Sequence, residues 1–551
     1  MTKKDFYFFK SAFAFLFIFF HLSVLLSFSQ GVIKKGKATG DIKVADENFR
    51  NGNYAGALDE YLILVSKDPG NEKYNYRIGV CYLNTDIEKT KALSYFEKIK
   101  SKTSEAEIKY LLAKSYQYAY KFDEAINLFN EYLKDKKGSN ENLKDAVLEV
   151  QFCYNAKELM KYPLNVEFEN LGKNINSEYP DYFPFIPGDE SFLIFNTKRP
   201  EAGAFQNPDG SWGANIYFSK VKDGQYIKAK PLGRVINSQY GDEEAVGLSS
   251  SGDYLLVYFD NLQGEGDIYI SKADKNRNFK EPIMLDEQIN SVKGQEIAAS
   301  ITGDGNTIYF ASTRSGGLGG SDIYVCRRLP NNLWGPAQNL GPEINTQFNE
   351  DFPNISADGN LLFFSSMGHT SMGGYDIFVS KYDSLEKTFT GVKNVGYPIN
   401  TPEDDMNFRL SSTGKYGYIS ARRKDGFGDL DIYRVNFLDV DPYYTVVTGR
   451  IRSSDVSKPV DSVHVLISVI DVQTGEPFGN YTPNPQTGKF VVALPPGKFT
   501  IIAEISGFSK YSETVIIQDK SSYKPLIEKD IVMMPEGWKP SPPATPPKKK
   551  K

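Results

Sequence analysis

The hydrophobic positions of this chain change their rhythm twice. From Ala12 to Phe28 the run is almost unbroken apolar, preceded by Lys3, Lys4 and Lys10 and closed by Ser27-Phe28-Ser29. A basic start, an apolar stretch and small residues at the −3 and −1 positions predict a signal peptide over residues 1–29, cut before Gln30. A membrane anchor is the competing reading, because the run nearly reaches the length of a span; the small-residue end and the polar sequence after it favour cleavage. No later segment is apolar enough to cross a bilayer, so no transmembrane segment is expected after cleavage.

Over residues 41–160 apolar positions fall at helical spacing. Ala57, Ala92 and Ala125 recur at steps of 35 and 33 residues, each followed four positions later by Tyr61, Phe96 or Phe129. A small residue packing against an aromatic one turn on lets antiparallel helices nest, and a period near 34 is that of the tetratricopeptide repeat. The stretch resembles three such repeats, with Gly79 and Tyr82, then Ala113 and Tyr116, at the matching places; the first repeat is the poorest match. Leu143 to Met160 is expected to cap the stack. The resemblance implies a concave surface that binds a peptide or protein, or a spacer that positions the next domain.

Beyond residue 164 the period drops to two. Asn215-Ile216-Tyr217, Asp267-Ile268-Tyr269, Asp322-Ile323-Tyr324, Asp376-Ile377-Phe378 and Asp431-Ile432-Tyr433 recur at steps of 52, 55, 54 and 55. A second marker, Ile-Asn-Ser/Thr, keeps time with them at Ile175, Ile236, Ile289, Ile344 and Ile399. Between the two lie turns and alternating runs such as "TGDGNTIYFAS" and "SADGNLLFFSS", which read as hairpins of half-buried strands. Four-stranded units at this period predict a five-bladed β-propeller over residues 164–437. The segment Leu164 to Leu171 is expected to pair with the last unit, near Phe437, and close the ring. The region resembles TolB-type and WD-repeat-like propellers, in the turn Asp-Gly, the strand, the Gly-rich loop and Asp-Ile-Tyr.

Residues 444–535 alternate again in "TVVTGRIRSSD", "VHVLISVIDVQTGE" and "GKFVVALPPGKFTIIAEISGF", enough for a small antiparallel β-sandwich. The run "LPPGKFTIIAEISGF" resembles the carboxypeptidase-regulatory-like fold, whose module is not catalytic. Residues 536–551 form a Pro-rich tail with a lysine tip. The fold class expected is therefore multidomain α + β: an α-helical tetratricopeptide stack, a five-bladed β-propeller and a small antiparallel β-sandwich.

Composition adds little to this and excludes some partners. Among 551 residues, 35 Tyr and 37 Phe stand beside three Trp and three His, as aromatic-rich strands produce. The net charge of −5 becomes −7 without the leader, which argues against a nucleic-acid partner. Cys81, Cys153 and Cys326 show no metal spacing; buried thiols are expected, with a bridge between Cys81 and Cys153 as the alternative.

Candidate chemistry is sparse. In "GLGGSD", "GEGDIY" and "GFGDLD" the third glycine of a phosphate loop is missing, and no helix follows. Only His369, in a loop, and His464, in an alternating strand and expected to be packed, remain after cleavage, and no GxSxG occurs, so a serine hydrolase is not expected. Acids follow each Ile-Asn marker: Glu178 and Asp181, Asp242 with Glu243 and Glu244, Glu296, Glu350 with Asp351, and Asp404 with Asp405. Of these, Asp242, Glu243, Glu296, Glu350, Asp351, Asp404 and Asp405 are the candidates for a carboxylate ring at one channel mouth, able to hold a cation or basic peptide. Capping of turns and pairing between blades explains them too, with Lys198, Arg199, Arg314, Arg422 and Arg423 as partners. No catalytic residue, cofactor or metal is assigned.

The order of leader, helical stack, propeller and sandwich resembles that of PorE-type envelope proteins of the type IX secretion system. That resemblance implies a periplasmic location against the outer membrane and an outer-membrane partner of the PorP/SprF type. Family members end in an OmpA-like domain that grips peptidoglycan; the sequence stops where it should begin, so direct wall binding is not expected. The expectation is a non-enzymatic scaffold. Its alternative is a ligand- or glycan-sensing propeller that works with an outer-membrane uptake system.

Overall fold

The computed structural model describes residues 38–538 apart from 86–87, 201–205, 223, 239–241, 261–265, 441–443, 518–523 and 525. The signal peptide read in residues 1–29 and the lysine tip lie outside the described residues. Helices come first, then five sheets of a propeller, then a two-sheet unit.

Seven helices run back and forth: α1 Ile42–Arg50, α2 Tyr54–Lys67, α3 Glu72–Asn84, α4 Ala92–Ile99, α5 Ile108–Tyr118, α6 Phe122–Asp135 and α7 Asn140–Leu159. Side chains of Asp41, Asn53, Asn71 and Ser139 accept a backbone N–H in the first turns of α1, α2, α3 and α7, so the sequence punctuates its own helix starts. Ala57, Ala92, Tyr61 and Phe96 are fully buried in one cluster with Ile78 and Cys81. Gly79 is required there because any Cβ would run into the Phe96 ring. Cys81, Cys153 and Cys326 are buried free thiols, pushed up by burial to about 12 in Cys81 and Cys326.

Each propeller sheet has four strands in antiparallel order, the first gaining a short fifth. The first strands, Asp181–Phe185, Glu243–Leu248, Glu296–Ile301, Glu350–Ile355 and Arg409–Leu410, touch the first strands of neighbouring sheets or the strand beside them and so lie nearest the axis. Each Asp-Ile-Tyr copy sits in the third strand: Asn215–Lys222, Gly266–Lys272, Asp322–Arg327, Asp376–Asp383 and Asp431–Phe437. Val166–Asn170 pairs with Asp431–Phe437, so the fifth sheet takes its outer strand from the front of the region.

The two recurring markers serve one bond pattern. The side-chain amides of Asn237, Asn290, Asn345 and Asn400 each accept the backbone N–H and donate to the carbonyl of Ile216, Ile268, Ile323 and Ile377, at 2.7–3.0 Å. Asn176 does the same to Ile432 across the ring closure. These amides end the third strand's pairing without a further strand, and all five isoleucines beneath them are buried. Asp322 accepts the N–H groups of Leu318 and Gly319, tying down the Gly-rich loop. That loop lies on the next sheet: a Cβ at Gly319, Gly373 or Gly428 would enter the backbone of Phe348, Pro402 or Glu178.

Asn345→Ala removes three such bonds, since Asn345 also donates to Asn339. It strands the buried Ile323 N–H, while the Ile323 carbonyl keeps the N–H of Leu340, and is expected to cost about 1–3 kcal/mol. The check is the urea midpoint of the propeller; an unchanged midpoint would overturn this account of the clamp.

The last unit packs two sheets over Val447, Ile467, Val469, Phe490, Val492, Phe499 and Ile501. It departs from the expected all-antiparallel sandwich: Thr445–Ser453 pairs in parallel with Leu526–Glu528 and with Ile531–Pro535. The unit's last strand returns beside its first in the same direction, after Lys489–Leu494 has joined that sheet and other intervening strands have built the second. His464 is also corrected, since it lies in the short turn Ser462–His464 before the strand starts and its exposed ring meets Asp461 at 2.9 Å.

The two flanking units lie at opposite ends of the propeller strands. The helices rest on the rim where the first strands begin, through Asn155 donating to the Ser371 carbonyl, Met372 buried among α6 and α7, and Lys89 facing Glu403 at 3.2 Å. The sandwich rests on the other rim, where Lys489 reaches Asp189 at 3.0 Å, Thr487 reaches Asp253 and Thr482 reaches Asp304.

Candidate functional site at the propeller axis

Four acids of the expected ring, and Asp181 beside them, are spent on turns. Asp181, Glu296, Glu350 and Asp405 each accept the N–H of the Ser or Thr that ends the marker, Ser177, Ser291, Thr346 and Thr401. Glu243 takes the same kind of bond from Ser238. Arg199 and Arg314 add ion pairs to Asp181 and Glu296 at 2.7 and 3.3 Å, and Ser312 and Ser366 donate their hydroxyls to Glu296 and Glu350. Burial lifts the Glu243, Glu296, Glu350 and Asp405 carboxyls above their ordinary values. Asp242 and Asp404 work between sheets, accepting the N–H groups of Ala214 and Tyr375. The candidates are therefore brought to one rim as capping groups, and among the described residues no group of three acids, histidines or cysteines is placed to hold a metal ion.

Asp351 is the exception. It is buried, its one hydrogen bond comes from the N–H of Phe352, and burial pushes its carboxyl up to about 7. It occupies the position after the capping acid, and the same position in the other sheets is Tyr182, Glu244, Ile297 and Met406. Tyr182 donates its hydroxyl to Glu244 at 2.6 Å, from the first sheet to the second. Tyr375, in the loop of the fourth sheet, has its hydroxyl raised well above the ordinary range by burial and then by Asp351.

One residue deeper the axis is closed by rings. Phe183 and Phe352 meet at 4.7 Å between centroids, and Tyr182 packs on Phe183 at 5.0 Å. Phe183, Phe352 and Asn407 hold backbone φ of 51°, 48° and 59°, a left-handed conformation that side chains rarely adopt. Pairing slips by a residue at these places in the first and fourth sheets, and the bulge turns the next side chains inward. The helix-side mouth thus has an apolar floor, two carboxyls in different settings and two tyrosines. That combination suits a polyhydroxylated ligand, whose hydroxyls bond carboxyl groups while its C–H faces lie on rings. Spacing marked Glu244 among the acids without choosing it and missed Tyr182 and Tyr375; the usable signal was their place directly after each capping acid or before the Asp-Ile-Tyr copy.

No family model matches this chain, and no curated protein does. Solved structures do match. An endo-arabinase from Bacteroides thetaiotaomicron is 15% identical with a TM-score of 0.31, covering 46% of this chain and 93% of its own. A β-1,2-mannobiose phosphorylase from Listeria innocua is 9% identical with a TM-score of 0.31, covering 50% and 96%. The WD40 repeats of RRP9 are 10% identical with a TM-score of 0.25, covering 49% and 97%. What these share with the chain is propeller architecture.

Two expectations are corrected at this point. The non-enzymatic scaffold of type IX secretion rested on module order, and the absence of enzymatic activity on a histidine count. The matching structures include glycan-processing enzymes, whose class of chemistry runs on carboxyl groups and needs no histidine. Neither expectation is carried further.

Proposed function

We propose that the protein recognises a saccharide at the helix-side mouth of its propeller, in the periplasm against the outer membrane, as part of a glycan-uptake system. In this reading the seven helices are a tetratricopeptide-type stack, the five sheets are five blades, and the last unit is a carboxypeptidase-regulatory-like sandwich, the module order of PorE-type envelope proteins. The leader read in residues 1–29 supports export. The observation that carries the proposal is the pairing of an uncompensated buried carboxyl, Asp351, with the Tyr182-held Glu244 on one mouth. Carboxyl groups held beside aromatic rings are the equipment of sugar recognition and of acid–base chemistry on glycosidic bonds.

The test is calorimetric titration of the mature chain with arabino-oligosaccharides, β-1,2-mannobiose and a panel of other soluble oligosaccharides. Binding to at least one is expected, weakened about tenfold or more, or ~1.4 kcal/mol, in Glu244→Gln and in Asp351→Asn. Reducing ends counted in the same samples separate recognition from cleavage. Absence of binding across the panel, or variants that bind like the parent, would sink the proposal.

A further inference from the structure

The sandwich-side end of the axis carries a charge with no counterpart among the described residues. Arg409 lies in the first strand of the fifth sheet, paired through its backbone with Tyr418, and is 5% exposed. Its guanidinium lies 4.5 Å over the Phe185 ring, and its Nε has no partner among the described residues. Less buried propeller arginines are matched: Arg199 by Asp181, Arg314 by Glu296, Arg434 by Glu169, and Arg277 lies 3.8 Å from both Asp189 and Asp253. Burial alone lowers Arg409 to about 9, with no carboxylate offsetting it. Two residues earlier Asn407 is fully buried, and neither its Oδ1 nor its Nδ2 has a partner among the described residues.

Two unpartnered polar groups two residues apart are costly to keep in a folded protein. A buried cation left alone loses hydration that nothing returns, and an amide buried without bonds adds to the loss. A guanidinium lying flat on a ring keeps its edge free, and that edge is a planar fork matching both oxygens of a carboxylate. Asn407, two residues earlier in the chain, supplies a further unspent amide. The equivalent positions in the other four sheets, Phe185, Gly247, Ser300 and Asn354, carry no charge, so nothing in the ring repeat calls for an arginine here.

We infer that Arg409 and Asn407 form an anion site for a small carboxylate-bearing molecule at the sandwich-side end of the propeller axis. Arg409 is set apart from the helix-side mouth, because by register Asn407 stands level with the Phe183 and Phe352 rings and Arg409 lies two residues beyond them toward the sandwich. It sits under the sandwich: Arg409 precedes the turn at Ser411 and Ser412, and a Cβ on Gly188 would touch both Ser412 and Val491 of the last unit. A sugar acid fits the chemistry, and the site stands whether or not neutral saccharides bind the other mouth.

The experiment is thermal unfolding of the full mature chain with sodium glucuronate, glucose, sodium sulfate or sodium phosphate, for the parent and for Arg409→Met. Glucuronate is expected to raise the parent's midpoint by about 2–4 °C at saturating concentration, where glucose does not. Arg409→Met should abolish that rise and, without anion, melt no lower than the parent, since an apolar chain of similar length replaces an unpaired charge. A parent indifferent to glucuronate overturns the site, as does a variant that keeps the response. A variant that melts well below the parent without anion shows a structural arginine and also overturns it. An Arg409-dependent rise with sulfate or phosphate but not glucuronate overturns the carboxylate assignment.

Discussion

Replacing Lys489 by methionine is expected to loosen the sandwich from the propeller by about 3 kcal/mol, the low end for a broken buried ion pair. Lys489 and Asp189 have side chains only 9% and 11% exposed, and the ammonium also donates to the Ser251 carbonyl. Burial alone would lift the Asp189 carboxyl, but Lys489 and the Ser191 hydrogen bonds outweigh it and hold it below its ordinary range. Burial pulls the Lys489 ammonium down despite the carboxylate beside it, so the pair is worth less than its distance suggests. Removing one partner is another matter, because it leaves Asp189 buried with Arg277 at 3.8 Å as its remaining cation. Limited proteolysis of the connection between Phe437 and Thr445 reads the result: faster cleavage in Lys489→Met, near-parental cleavage in Lys489→Arg. Equal rates in all three would show that Thr482, Thr487 and their neighbours hold the contact without the lysine.

The Asp351 carboxyl should make the propeller less stable at neutral pH than at mildly acidic pH. Its folded value near 7 lies above the 3.8 of an unburied aspartate, so the folded chain keeps a proton that the unfolded chain has released. Stability from this group is full below about pH 4, is lost as pH rises, and is gone above about pH 7, a loss of up to ~4 kcal/mol. Asp351→Asn keeps the shape without the charge and is expected to flatten that slope, raising the urea midpoint at pH 8 and leaving it near the parent's at pH 4.5. A variant weaker than the parent at pH 8 would contradict the assignment. The same variant serves the saccharide titration well, because lost binding in a chain of raised stability is not unfolding.

Strand positions were legible because alternation and turn residues are local. The runs around Leu255, Phe310 and Phe364 are second strands, and each Asp-Ile-Tyr copy falls in a third strand. The purpose of the Asn in the second marker was not legible, because Asn345 spends its amide on Ile323, 22 residues earlier. Acid spacing marked out Glu350 and Asp351 together and could not separate them. Only the fold tells that one caps a turn and the other faces no cation. The parallel pairing in the sandwich was hidden for a related reason: strand direction depends on where a distant segment returns, which residue alternation does not encode.

Closing the fifth sheet with Val166–Asn170 has a consequence for how the chain comes to be. Asn176 and Ile432 are 256 residues apart, so the bond that completes the circle joins almost the first and the last parts of the propeller to be synthesised. Contacts of such long separation form slowly, and until they do the front strand and the unfinished last sheet both expose unpaired edges. The helices ahead of the propeller are built from neighbours in sequence and can settle while the circle is still open. Assembly should therefore proceed from a stable front to a late closure, and a chain halted before Asp431 would be left with the sticky edge that the finished ring conceals.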